Sequence, residues 1–234
     1  PKLICYDFLD LALYMELGFC SLLDFTNFLK GKKNQFLGDF QACFLLKQLF
    51  LMNLEFFQNK AFHGDIKPAN IVFVFEKKNQ FGLKFIDFGA SSDDMDFFLA
   101  YYTPAYVCEK VFLKEIGFSV EEIFYSEVFS SCRSIQNMII FSSQGNFKDY
   151  FKKNQDQQFQ IFSKEFQKSH QKLISVFQKV YEKKDLKLNL EQFQEIIKIF
   201  NFFDFEGIFE SFCQQIQELE NFIKQQNQNQ KVVK

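Results

Sequence analysis

The chain has 234 residues, enough to bury a hydrophobic core as a single domain. Its net charge of −2 and pI near 5.8 exclude the basic surface typical of nucleic-acid or anionic-membrane binding, so we expect neither partner. Six scattered cysteines without a C-x-x-C pair argue against a zinc site or a disulfide framework, and the absence of a signal peptide or a bilayer-length apolar run favours a cytoplasmic protein.

The first quarter of the chain predicts short strands followed by two helices. Residues 2–8 and 11–15 have the composition of two paired strands. Leucine and phenylalanine recur at helical spacing over 21–29, and a polar loop over 31–34 follows. A second helix is predicted over 38–59, and it is apolar around most of its girth, which is typical of a buried helix.

The central stretch predicts a β-hairpin between two polar loops. IVFVF (71–75) is typical of a buried strand, KKNQ (77–80) of a turn, and GLKFI (82–86) of a return strand. The polar loop at 63–70 precedes the first strand, and Asp-Phe-Gly at 87–89 follows the second. Because a hairpin brings its two ends together, we expect these two loops to meet at one mouth.

Four side chains at this mouth suit phosphate and magnesium chemistry. Asp87 and the amide oxygen of Asn70 are hard oxygen ligands of the kind that Mg²⁺ prefers. Lys67 offers a mobile positive charge for a phosphoryl group. Asp65 can accept a proton from an attacking hydroxyl.

The second half of the chain predicts mainly helices. A polar stretch over 144–160 is expected to be a loop with a short helix, and an amphipathic helix is predicted over 161–183, with His170 on its solvated face. Two more helices are predicted over 188–203 and 205–223, and a disordered tail over 224–234.

The pattern H-x-D-x-K-x-x-N at 63–70, followed by D-F-G at 87–89, resembles the catalytic and magnesium-binding loops of eukaryotic protein kinases. T-P-x-Y at 103–106 is similar to the substrate-docking loop of that family. The resemblance implies an α+β, mainly α fold. It divides the chain into the end of the small lobe with the hinge (1–18) and the large lobe (19–223).

The resemblance also implies the activity, which is transfer of the ATP γ-phosphate to a Ser or Thr hydroxyl of a protein substrate with Mg²⁺. Asp65 would position the hydroxyl, Lys67 would balance charge on the phosphate, and Thr103 would bond to both. Asn70 and Asp87 would hold Mg²⁺. The hinge-like run Met15-Glu16-Leu17-Gly18 implies contacts to ATP, and the positions that the resemblance gives to ATP are Met15, Glu16, Gly18, Val72, Lys67 and Asp87.

Two departures from the family pattern affect the loop after Asp87. Cys108-Glu109-Lys110 stands where the family has Ala-Pro-Glu, whose Glu pairs with a buried Arg, so either Glu109 substitutes one place early or the anchor is lost. Gly64 stands in place of the Arg that reads a phosphate on the activation segment. We therefore predict that phosphorylation at Ser91 or Ser92 does not switch the protein.

Two further departures lie at 126–132, which resembles the start of the central helix of the family. Glu127 replaces an Asp that caps backbone amides of the catalytic loop, and the longer side chain is expected to keep the cap with some adjustment. Cys132 replaces a Gly and is expected to crowd a close contact between helices.

Three functional hypotheses remain open. No G-x-G-x-x-G, no V-A-x-K strand and no helix with the paired Glu is found, and the first Met is Met15, so the sequence lacks most of the small lobe. The chain is then either part of an active kinase or a degenerate large lobe that serves as a binding module. A third reading is a small-molecule phosphotransferase, whose loop also begins with His-Gly-Asp, but such enzymes seldom carry Lys two residues after the Asp.

Overall fold

The computed structural model describes residues 3–7, 12–15, 18–31, 37–77, 80–91, 102–112, 118–143, 149–203, 210, 212–219 and 221. Its helices are α1 (Leu22–Gly31), α2 (Asp39–Gln58), α3 (Glu109–Phe112), α4 (Val120–Ser142), α5 (Gln155–Phe166), α6 (Gln171–Tyr181) and α7 (Leu190–Lys198). Short 3₁₀ turns lie at 68–70, 88–90, 150–152 and 199–202, and residues 212–219 are helical. The predicted α+β, mainly α architecture is confirmed at this level. The predicted tail at 224–234 lies outside the described residues.

Within the described residues, five strands form two small antiparallel sheets. The first pairs β1 (Leu3–Asp7) with β2 (Ala12–Met15), as the sequence predicts. The second has the order β3 (Cys20–Ser21), β4 (Ile71–Lys77) and β5 (Gln80–Phe85). The predicted hairpin is therefore confirmed, but its strands are longer and its turn is shorter than the sequence suggests. Ile71 pairs with Phe85 at the mouth, and Lys77 pairs with Gln80 at the far end.

Helix α4 lies at the centre of the fold and is buried from Glu122 to Ile140. It begins with a capping box, in which the Ser119 hydroxyl and the Glu122 carboxylate each accept a hydrogen bond from the other residue's backbone N–H. The Asn53 amide of α2 donates to the Ser131 hydroxyl at 2.8 Å. Cys132, the next residue along α4, is fully buried, and the crowding expected there stays a prediction.

The predicted single helix over 161–183 is wrong, and so is the predicted exposure of His170. Helix α5 ends at Phe166 and α6 begins at Gln171, with a break between them. His170 is fully buried in this break and bonds through Nε2 to the carbonyl of Leu37, 2.8 Å away. The carboxylate of Asp39 accepts from the first backbone N–H groups of α6, at 3.0–3.2 Å. Contacts with the distant start of α2 therefore end one helix and begin the next.

Among the helices that the structure describes, none combines the length and the apolar character needed to cross a bilayer.

Candidate functional site

The carboxylate of Glu127 caps the backbone of the 63–70 loop, which precedes β4. Glu127 is buried in α4 and accepts hydrogen bonds from the backbone N–H groups of His63 at 2.9 Å and Gly64 at 3.1 Å. Burial raises the pKa of Glu127 from 4.5 to about 7, although the two N–H bonds act in the opposite direction. The predicted cap is confirmed, and the longer side chain reaches both amides.

His63 ties the two ends of the hairpin together. Its Nε2–H donates to the carbonyl of Ile86 at 3.0 Å, and its Nδ1 accepts from the backbone N–H of Asp65 at 3.3 Å. These roles require the neutral ring, and burial lowers the pKa of His63, which favours that form. Sequence reasoning gave His63 no role, although its place two residues before Asp65 was a usable signal.

Three side chains converge on Asp65. The Thr103 hydroxyl donates to Oδ1 at 2.6 Å, and the Lys67 ammonium donates to Oδ2 at 2.5 Å and to the Thr103 hydroxyl at 3.0 Å. The amide of Asn70 donates to Oδ2 at 3.2 Å. Burial raises the pKa of Asp65, but the Lys67 and Thr103 hydrogen bonds and the Lys67 charge outweigh burial, and the pKa lies below its ordinary value. The predicted contacts of Thr103 with Asp65 and Lys67 are confirmed.

Asn70 and Asp87 are adjacent through the backbone. The N–H of Ile86 donates to the carbonyl of Asn70 at 2.9 Å, so Asp87 immediately follows a residue paired with Asn70. The Asn70 amide nitrogen also donates to the carbonyl of Asp65 at 3.0 Å, which turns the amide oxygen away from that loop. Asp87 is exposed and has left-handed backbone angles (φ 62°, ψ 70°), which are uncommon outside glycine and concentrate at functional sites.

Gly64 fits where no other residue would. Its φ is +83°, and a Cβ built there would lie 2.3 Å from the carbonyl oxygen of Ala90. The hydroxyl of Ser91 donates to the carbonyl of His63 at 3.0 Å. The start of the segment after Asp87 therefore lies directly on the 63–70 loop, and a side chain at position 64 would collide with it.

One residue of the predicted ATP site, Gly18, lies against the hairpin. A Cβ on Gly18 would lie 2.8 Å from a methyl group of Val72, so the two residues are in close contact. The N–H of Phe19 donates to the carbonyl of Phe73 at 2.7 Å, which fixes this approach. Met15 ends β2, and Glu16 lies outside the described residues.

Glu109 does not replace the missing anchor. Its side chain is exposed, and its backbone N–H donates to the Gln155 amide oxygen at 3.1 Å. Lys110 forms an exposed ion pair with Asp156 at 2.8 Å. Of the two readings left open by the sequence, loss of the carboxylate anchor is the one that these contacts support.

Among the described residues there is no group of three or more His, Cys, Asp or Glu side chains close enough to hold a metal ion. The Mg²⁺ ligands expected from the sequence, Asn70 and Asp87, stay a prediction; a pair of protein ligands would suit an ion that keeps water and phosphate ligands.

Comparison with known protein families found no match, and a search of curated proteins found no similar sequence.

Proposed function

We propose that the chain is the large-lobe part of a protein-kinase-like Ser/Thr phosphotransferase that uses ATP and Mg²⁺. One observation carries the proposal, namely the set of hydrogen bonds that joins Asp65, Lys67 and Thr103. Thr103 lies 38 positions from Asp65 in the sequence. A turn or a helix cap would explain one such contact, but it would not bring the carboxylate and the ammonium of one loop together with the hydroxyl of a distant loop.

Asp65 acts on the hydroxyl of the acceptor in this proposal. Its lowered pKa keeps it ionised at neutral pH, so it can orient the hydroxyl and accept its proton. The Asp65 side chain is 15% exposed, which leaves an edge of the carboxylate open to an incoming substrate. Lys67 is 25% exposed beside it and can neutralise charge on the transferring phosphoryl group.

Asn70 and Asp87 would hold Mg²⁺ at the other end of the mouth. The Asn70 amide oxygen is turned away from Asp65, and the Asp87 carboxylate is exposed, so both oxygens fit a hard cation that retains waters. When bound, the ion neutralises phosphate oxygens and orients the γ-phosphate. Gly18 and Val72, which lie in close contact, would line the nucleotide side of the site.

The binding-module reading is favoured by one observation, the exposed Glu109 that leaves the substrate loop without a carboxylate anchor. Against it stand the intact Glu127 cap and the complete set of donors on Asp65. The small-molecule reading leaves the Thr103 contact unexplained, because an acceptor loop of this kind serves a protein substrate.

The test is titration of the full 234-residue chain with ATP, with and without Mg²⁺. We expect Mg²⁺-dependent binding by the wild-type chain and a loss of at least about tenfold in Asp87→Ala, because one charged ligand is removed. Asp185→Ala is the matched control, since Asp185 is 60% exposed and pairs with Lys183 and its own loop. Equal binding by wild type and Asp87→Ala, or no binding at all, would overturn the proposal.

A further inference from the structure

The loop that carries Thr103 is built as a tight turn. The N–H of Tyr106 donates to the carbonyl of Thr103 at 3.0 Å, and Pro104 takes the second position, where its fixed φ suits a turn. Pro104 and Ala105 are exposed at the tip. Contacts that fix this turn therefore also fix the position of the Thr103 hydroxyl, which donates to Asp65.

A buried guanidinium lies under the turn. Arg133 of α4 is 2% exposed, and its Nε–H donates to the carbonyl of Ala105 at 3.3 Å. Its Nη1 donates to the amide oxygen of Gln136 at 3.3 Å and to the hydroxyl of Tyr150 at 3.4 Å. Within the part of the chain that the structure describes, no carboxylate lies within ion-pairing distance of Arg133. A buried cation with only neutral partners is costly, which indicates a purpose other than stability.

The partners of Arg133 form a connected network. The Gln136 amide nitrogen donates to the Tyr150 hydroxyl at 2.6 Å, and the Tyr181 hydroxyl donates to the Gln136 amide oxygen at 2.6 Å. The ring of Tyr150 also lies against the guanidinium, with 5.9 Å from its centroid to Cζ. Helices α4 and α6 thus fix the direction in which Arg133 meets the turn, since buried networks of this kind favour one arrangement.

A second side chain holds the other end of the loop. The Gln155 amide nitrogen of α5 donates to the carbonyl of Val107 at 2.5 Å, and its amide oxygen accepts from the N–H of Glu109. The loop is therefore attached to the helices through its peptide groups, by one guanidinium and one amide, and also through the Tyr106 side chain, which hydrogen-bonds to Asn137 of α4.

We propose that Arg133 is the positioning residue for the acceptor substrate: it holds the Thr103–Tyr106 turn by its Ala105 carbonyl and so keeps Thr103 on Asp65. The anchor is the hydrogen bond from the Arg133 guanidinium to the Ala105 carbonyl. It takes the place of the ion pair between a Glu and an Arg that the resemblance implies. This inference rests on the proposed phosphotransferase function. It assigns Arg133 to the acceptor side of the site, whereas Gly18, Val72 and Asp87 belong to the nucleotide side.

Three full-length variants test the assignment. Arg133→Met removes the donor and keeps most of the side-chain volume, Arg133→Lys keeps the charge without the planar fork, and Ser134→Ala is the matched control. Ser134 is equally buried on α4, but its hydroxyl bonds within the helix, to the carbonyl of Ser130. Amide hydrogen exchange at Tyr106 reports the turn, and exchange at Ile86, which is paired with Asn70, reports the nucleotide side.

We expect Arg133→Met to speed exchange at Tyr106 by about tenfold, as the loss of a hydrogen bond to a charged group predicts, and to leave Ile86 unchanged. In phosphotransfer assays it should raise the KM of a Ser/Thr peptide by a similar factor and leave the KM of ATP within about twofold. Arg133→Lys should recover part of both effects, and Ser134→Ala should show neither.

The exchange measurement does not depend on catalysis, so it decides the role of Arg133 in holding the turn even if the chain transfers no phosphate and the proposed function fails. Unchanged exchange at Tyr106 in Arg133→Met, or an equal rise at Ile86, would overturn the assignment. So would a rise in the KM of ATP that equals the rise for the peptide. If Arg133→Met does not fold, Gln155→Ala removes the second anchor from a partly exposed position and must loosen Val107 and Tyr106 in the same way.

Discussion

The two ends of the hairpin mouth are organised differently. At the Asp65 end, side chains from two segments, the 63–70 loop and the loop of Thr103, already touch one another, and the shared carboxylate has a lowered pKa. At the Asp87 end, the carboxylate is exposed, Asp87 has left-handed backbone angles, and its position is set by the backbone bond between Ile86 and Asn70. The Asp65 end is therefore preorganised by the protein, whereas the Asp87 end is placed by the backbone and open to a charged ligand. The difference predicts that substitutions at the two ends will affect separate steps.

The largest effect is expected at the preorganised end. Asp65→Asn keeps the size of the side chain but removes the base, so phosphotransfer should fall by about 10²–10⁴-fold. ATP affinity should stay within about twofold, because the Asp87 end is untouched. Single-turnover phosphotransfer and ATP titration on the same sample check both parts. A large loss of ATP affinity in this variant would show that the two ends are not separate.

The next largest effect is expected at the contact between Gly64 and Ala90, which joins the two ends, and it should be an effect on stability. Gly64→Ala puts a Cβ against the Ala90 carbonyl at a positive φ, which should cost roughly 1–2 kcal/mol for the backbone conformation and a further ~1–3 kcal/mol for overpacking. Urea unfolding gives the loss in the free energy of unfolding. Gly31→Ala is the control, because nothing lies within 4 Å of a Cβ at that helical position. Equal stabilities for the two variants would contradict the close contact of the segments.

The support beneath the Asp65 end should depend on pH. Because the pKa of Glu127 rises from 4.5 to about 7 on folding, the folded protein binds more protons between these values, and the contribution of this group to stability falls as pH rises through that window. The full change corresponds to roughly 3 kcal/mol.

Glu127→Gln isolates this contribution. It cannot ionise, so its stability relative to wild type should increase from pH 5 to pH 7.5 in urea unfolding. Burial lowers the pKa values of His63 and His170, so these two residues increase stability as pH rises through the region below about 6.5. Both histidines are present in wild type and in Glu127→Gln, so their effect cancels in the comparison. Glu195→Gln, at an exposed ion pair with Lys198, should show no such trend. A parallel pH profile for wild type and Glu127→Gln would rule out the raised pKa.

The smallest effect is expected at Ser91. Ser91→Ala removes the hydrogen bond to the His63 carbonyl and should lower the free energy of unfolding by about 1 kcal/mol. Ser91→Asp should leave ATP affinity within about threefold, because Gly64 offers no cation to read a phosphate. A strong gain or loss of ATP affinity in Ser91→Asp would show that the segment is a phosphorylation switch after all.

Local patterns were enough to predict the hairpin and the first two helices. The meeting of Thr103 with Asp65 came from the resemblance to a family, since no periodicity in the sequence links positions 38 residues apart. His170 could not be placed, because its burial depends on a carbonyl at Leu37, 133 residues away. The fit of Gly64 against Ala90 was equally hidden, since a glycine can mark a turn, a cap or a close contact.

The length of the hairpin has a practical consequence. The pair Lys77–Gln80 lies six residues along β4 from the pair Ile71–Phe85, which is roughly 20 Å at 3.3 Å per residue. The entropic cost of closing a loop grows only slowly with its length. Residues added to the connection at that end should therefore leave the strand pairs near the mouth in register. A short tag or a fluorescent group inserted there would follow the motion of the hairpin from outside, and natural variation in length could accumulate at the same place without moving the carboxylates.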